Sequence, residues 1–72
     1  MMNYYVKFEY GTIERAETIV CLNDITHIEK RTNVIHIYYR TGVNYCNYPF
    51  NNEYETNKVF NTIWEKLAGG NK

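Results

Sequence analysis

Serine and glutamine are absent from this 72-residue chain, and aspartate and proline each occur once, as Asp24 and Pro49. Without serine there is no hydroxyl of the usual hydrolase kind. With one aspartate there is little from which to build a carboxylate–imidazole–nucleophile triad. Glycine is confined to Gly11, Gly42, Gly69 and Gly70, too dispersed for a phosphate-cradling loop. The two cysteines, Cys21 and Cys46, allow at most one disulfide. The strand phases below put them on opposite faces, so reduced thiols are the simpler reading. Cys46 falls on the core face as a small hydrophobe, and nothing marks Cys21 as activated. The chain is therefore read as a non-enzyme that needs no cofactor.

Charge of one sign is also missing. Eight basic residues balance eight acidic ones, so no global field attracts nucleic acid or anionic membrane. No apolar run approaches the roughly 20 residues of a membrane-spanning helix, and the N-terminus opens on strand-like alternation rather than a basic-then-apolar signal. The expectation is a soluble, cytoplasmic protein that does not engage membranes. At this length it should form one domain spanning residues 1–72, of a size at which a single core is only just sufficient.

Aromatics are what the chain has in plenty, 17% of residues, with eight tyrosines. Tyr4, Val6, Phe8 and Tyr10 alternate with Tyr5, Lys7 and Glu9, the period-two pattern of a half-buried strand. Similar runs predict strands over 2–10, 13–22, 25–31, 34–40 and 43–48, the third less cleanly phased. A loop at Gly11-Thr12-Ile13 sets Phe8 opposite Ala16 and Val6 opposite Thr18. It also gives two opposite-charge pairs, Lys7 with Glu17 and Glu9 with Arg15. Asn23-Asp24, Thr32-Asn33 and Thr41-Gly42 supply the remaining turns, with Asn33 suited to positive φ. Ile28 should then face Ile37, Glu29 face His36, Ile37 face Cys46, Ile35 face Tyr48, and Tyr38 face Tyr45.

Asn52-Glu53-Tyr54-Glu55 resembles a capping box and predicts a helix over 53–68. Thr56, Val59, Phe60, Ile63 and Leu67 recur at helical spacing, Trp64 flanks them, and Gly69-Gly70 ends the helix. The fold expected is α+β: a five-stranded antiparallel meander with one C-terminal amphipathic helix on one face. Its core should comprise Val6, Phe8, Val20, Ile28, Ile35, Ile37, Cys46, Phe60, Ile63 and Leu67. Strands followed by a Trp-bearing helix resemble the last half of a pleckstrin-homology-like domain. The chain lacks the length for seven strands and has no basic headgroup loop, so the resemblance implies no function.

One helix covers one sheet face, which leaves the other to a partner. The expected binding residues are Tyr5, His36, Tyr38, Arg40, Tyr45 and Asn47, since tyrosine and arginine suit interface hot spots. His27, Glu29 and His36 share that face as a candidate zinc triad, imidazole and carboxylate being suitable ligands. A plain surface Glu29–His36 pair is the preferred reading there, with no metal. The leading expectation is a non-enzymatic interaction protein that forms a homo-oligomer through the uncovered face or an edge strand. One alternative is a nucleotide or single-stranded nucleic-acid binder, stacking bases on the same tyrosines. Another is a small phage or mobile-element inhibitor that docks on a host protein.

Overall fold

A computed structural model of the chain describes residues 5–41 and 45–69. The strand starts expected at 2–4 and 43–44, the turn residue Gly42 and the stop residue Gly70 lie outside the described residues. The elements run β1 (Tyr5–Tyr10), β2 (Ala16–Cys21), a short 3-10 turn (Leu22–Asp24), β3 (Ile25–Lys30), β4 (Val34–Tyr39), β5 (Tyr45–Pro49) and α1 (Glu53–Gly69).

The architecture is α+β, but the strands do not form one meander. β1 and β2 make a two-stranded antiparallel sheet, and β3, β4 and β5 make a separate three-stranded one. The physical cause lies in Leu22–Asp24, where strand 13–22 is expected to end and Asn23-Asp24 to form a simple turn. There the backbone winds into a 3-10 turn, with the Ile25 N–H donating to the Leu22 carbonyl, and Leu22 is buried. Asp24 is then bound to the far end of β4, its carbonyl accepting from Arg40 N at 2.7 Å and its carboxylate from Thr41 N at 3.2 Å. The turn carries the chain from one sheet to the next instead of folding it back beside β2.

The β1–β2 register also departs from the expected one. Val6 pairs with Val20, Phe8 with Thr18 and Tyr10 with Ala16, two residues away from the sequence-based alignment. A shift of two preserves the faces, so Val6, Phe8 and Val20 still point inward. The loop is longer than three residues because Gly11 adopts φ +114°, a conformation that favours glycine. A Cβ there would lie 2.2 Å from the Glu14 carbonyl oxygen. Ile13, expected to begin β2, sits in this loop almost wholly exposed.

In the second sheet the expected pairs all occur: Ile28 with Ile37, Glu29 with His36, Ile37 with Cys46, Ile35 with Tyr48 and Tyr38 with Tyr45. The unclean phase of β3 has a cause. The register slips between Ile25 and His27, so Thr26 is an extra residue whose hydroxyl donates to the Tyr38 carbonyl at 3.2 Å. That bulge lets Ile25 face inward while His27 faces outward. The Thr32-Asn33 turn closes without positive φ at Asn33, contrary to expectation, and the Asn33 carbonyl accepts from Phe50 N at 2.8 Å.

Helix α1 starts as a modified capping box. The Asn52 side chain accepts from Glu55 N at 2.8 Å, while the Glu55 carboxylate accepts from Asn51 N, one residue before the N-cap. Buried Thr56 is satisfied by donating its hydroxyl to the Asn52 carbonyl at 2.8 Å. The helix packs against β1, β3 and β4, so it closes the space between the two sheets and does not cover a single face.

The core is Val6, Phe8 and Val20 from one sheet, Ile35, Ile37 and Tyr48 from the other, Leu22 from the 3-10 turn, Phe50 just past β5, and Ile63 from the helix. Phe8 meets Tyr48 edge-on at 5.2 Å and Phe50 at 6.3 Å, joining the two sheets. Of the expected core, Ile28, Cys46 and Phe60 are only half-buried, and Leu67 is exposed. A 17-residue helix is about 25 Å long against about 17–20 Å for these strands, so its last turn overhangs the sheets. Tyr48 and Tyr39 bond hydroxyl to hydroxyl at 2.9 Å, and burial pushes both phenols above the ordinary tyrosine pKa. Lys30, opposite inward-facing Ile35, escapes burial by donating to Asn57 Oδ1 at 2.6 Å across the Phe60 ring.

Candidate functional site

The outer face of β3–β5 carries two cross-strand rows. His27, Tyr38 and Tyr45 form one, and Glu29, His36 and Asn47 the other, because antiparallel pairing aligns them across three strands. Strand spacing near 4.8 Å brings such side chains into contact. Tyr38 and Tyr45 lie 4.7 Å apart between centroids, His27 meets Tyr38 edge-on at 5.1 Å, and His36 stacks on Tyr45 at 5.4 Å. His36 Nδ1 and the Tyr45 hydroxyl are also hydrogen-bonded. The four rings are a continuous layer in which His27 and Tyr45 are exposed and His36 and Tyr38 half-buried.

Its charges are local. The Glu29 carboxylate lies 3.6 Å from His27 Nε2 and 3.6 Å from Arg31. The carboxylate is thus shared between those two, and His36 turns to Tyr45. Among the described residues no group of three histidine, cysteine, aspartate or glutamate side chains is placed to hold a metal ion, so the His27–Glu29–His36 triad is not assembled. His36 has a phenol for its hydrogen-bonding neighbour, and among the described residues it makes no ion pair with a carboxylate.

The expected binding residues divide into three. His36, Tyr38, Tyr45 and Asn47 share the face. Arg40 stands just past β4, anchored through its backbone to Asp24, and makes no ion pair among the described residues. Tyr5 is on the other sheet, paired with Cys21 and more than half exposed. A five-stranded meander would have one continuous outer face that includes Tyr5, and the two-sheet fold does not.

Around Tyr5 the outer face of β1–β2 is mostly charge-compensated. Glu9 lies directly opposite Glu17, an unfavourable juxtaposition, and Lys7 to Glu17 at 3.8 Å with Arg15 to Glu9 at 3.9 Å offsets it. Arg15 also donates to the Gly11 carbonyl at 2.5 Å and is ion-paired to Glu55 across to the helix. The hydrogen bond that Arg15 donates to the Glu55 carboxylate is the main reason that carboxyl titrates below its ordinary range.

A groove of about 560 Å³ lies between β1 and the first half of α1. Val6, Lys7, Phe8 and Glu9 form its sheet wall, Tyr54, Lys58 and Val59 are among those on the helix wall, and Asn51 lies at the end before the helix. Sequence reasoning missed it, since helix residues give no sign of which strand they lie beside.

No protein-family model matches this chain, and no curated protein or solved structure matches it. No helix among the described residues is long and apolar enough to cross a membrane.

Proposed function

We propose that this is a non-enzymatic interaction protein that associates with a second copy of itself through the outer face of β3–β5. The observation that carries the reading is the layer His27–Tyr38–Tyr45–His36, four rings in mutual contact with His27 and Tyr45 exposed. Rings already held by neighbours lose little rotamer freedom on binding, which favours association. Glu29 and Arg31 beside the rings give the face both charges, as a two-fold contact requires if each surface is to complement itself.

Area limits the strength. Three strands at about 4.8 Å spacing and roughly 17 Å length present only a few hundred Å², well under the ~800 Å² per partner of a standard stable interface. The dimer should therefore be weak and concentration-dependent. Light scattering over a concentration series tests this. The wild type should gain mass as concentration rises, and the double substitution Tyr38→Glu, Tyr45→Glu should remain a folded monomer by circular dichroism. A wild type that stays monomeric throughout, or a double variant that still associates, would remove the reading. Base stacking is less well supported, because Tyr5 and Lys7 lie on the other sheet with Arg15 in its loop, and both cations there are paired.

A further inference from the structure

We propose that the groove between β1 and α1 binds an extended peptide segment of another protein, added as a strand to the free edge of β1, with an acidic side chain reaching Lys58. Four consecutive strand residues, Val6 to Glu9, line the groove. Successive side chains point to opposite faces of a sheet, so a cleft touched by all four lies along the strand's edge. Among the described residues β1 pairs only with β2, so the edge away from β2 has no strand partner.

The direction of that edge's polar groups follows from one hydrogen bond. Gly11 N–H donates to the Pro49 carbonyl at 2.7 Å, away from β2. Across a trans peptide the preceding carbonyl points the opposite way, so the Tyr10 carbonyl faces β2. Antiparallel strands alternate in this respect, which turns the N–H and C=O of Lys7 and Glu9 toward the groove. Unpaired main-chain groups in register are what strand addition uses for affinity.

Charge selects the occupant further. The groove holds the cations Lys7, Arg15 and Lys58 and the anions Glu9 and Glu55. Arg15 is bound to Glu55 and near Glu9, and Lys7 is 3.8 Å from Glu17. Lys58 has no carboxylate within 4.0 Å among the described residues. It stands on the helix wall opposite the free edge, where an acidic side chain of an added strand would reach it. Half-buried Val59 offers an apolar neighbour for the next side chain on the helix side. A second copy is the poorer occupant, since its β1 edge would arrive flanked by its own α1, and the slot is already bounded by a helix. The volume falls in the ~300–1,000 Å³ range of sites that enclose a small ligand, enough for a few residues of extended chain.

The probe is an acetylated octapeptide alternating valine and threonine around a central glutamate, titrated into the isotope-labelled full chain and followed by amide shifts and light scattering. Saturable shifts at Lys7, Glu9 and Val59 are expected, with binding about three-fold tighter than that of the central-lysine peptide, as suits one exposed ion pair. N-methylation of alternate peptide amides should abolish binding. Lys58→Glu should reverse the glutamate-over-lysine preference. Lys7→Pro, which removes an N–H facing the groove and is tolerable at a strand edge, should eliminate binding; if that variant fails to fold, Lys58→Glu and the methylated peptide decide. The variant Tyr38→Glu, Tyr45→Glu should bind the peptide normally, which separates this site from the ring layer. Absence of saturable binding, shifts confined to the outer face of β3–β5, indifference to methylation, or β1 edges that pair with each other instead would each overturn the proposal.

Discussion

In the β1–β2 sheet a glutamate faces a glutamate, whereas in the three-stranded sheet both cross-strand neighbours of Tyr38 are rings. The difference explains why one register is easy to anticipate and the other is not. Lys7, Glu9, Arg15 and Glu17 form opposite-charge neighbours whether they sit directly across or on the diagonal, because long side chains span two residues along a strand. Charge pairing therefore tolerates a slip of two. Faces are unchanged by such a slip, so burial does not correct it. In β3–β5 the short Thr32-Asn33 turn and the stacked cross-strand rings admit one alignment. What sets the β1–β2 register is the loop, where Gly11 alone takes positive φ among the described residues.

The largest expected effect tests the junction between the two sheets. Phe50 is 1% exposed and packs on Phe8 of the opposite sheet. Phe50→Ala should cost about 3–5 kcal/mol, comparable with much of the stability of a domain this small. Urea denaturation should find the variant largely unfolded at 25 °C; a loss below 1 kcal/mol would mean that the sheets do not depend on each other through this ring.

A smaller effect should come from Gly11→Ala. Positive φ and the close Glu14 carbonyl disfavour the present loop by about 1–3 kcal/mol. The least costly escape is the alternative register, two residues shifted. Cross-strand nuclear Overhauser contacts should then place Ala16 beside Phe8 instead of Tyr10, while the β3–β5 pairs stay unchanged. An unaltered Tyr10–Ala16 contact with wild-type stability would show that the loop does not control the register.

The smallest effect concerns the tie from the first hairpin to the helix. The Arg15 hydrogen bond holds the Glu55 carboxyl below its ordinary value of 4.5, and the bond from Asn51 N–H acts in the same direction. A carboxylate with a depressed folded pKa adds stability above its unfolded pKa, and that stability is lost as pH falls through the folded value. The urea midpoint should therefore drop on acidification below the usual glutamate range. Glu55→Gln should flatten that dependence. Glu55 retains 26% exposure, so the effect should stay within about 1 kcal/mol and weaken in salt.

Much of the second sheet was legible because its residues carry large, unambiguous side chains. Ile35, Ile37 and Tyr48 could face only inward, and His36, Tyr38 and Tyr45 followed on the other side. The Asn52 cap and the Thr56–Ile63 stripe were legible for the same reason, since helical spacing and cap chemistry are local. Leu67 has the spacing of a core residue yet is exposed, because periodicity marks a face but not where the facing sheet ends. Tyr5 lies apart from the ring layer, a separation not legible in the sequence, because strand alternation assigns faces within a strand and cannot say whether two strands share a sheet.

Sequence alone determined that these strands and this helix exist, the inward and outward sides of most of them, and a ring-rich surface on β3–β5. These follow from side-chain size, polarity and a period of two or 3.6 residues, all properties of neighbouring positions. Tertiary structure decided the break between β2 and β3, the register of the first hairpin and the groove beside β1. Each of those depends on where distant groups meet: Leu22 entering the core, Asp24 bonding to Arg40 and Thr41, and α1 closing the gap between sheets. Energies of that kind arise only once the chain is folded, so no local pattern carries them.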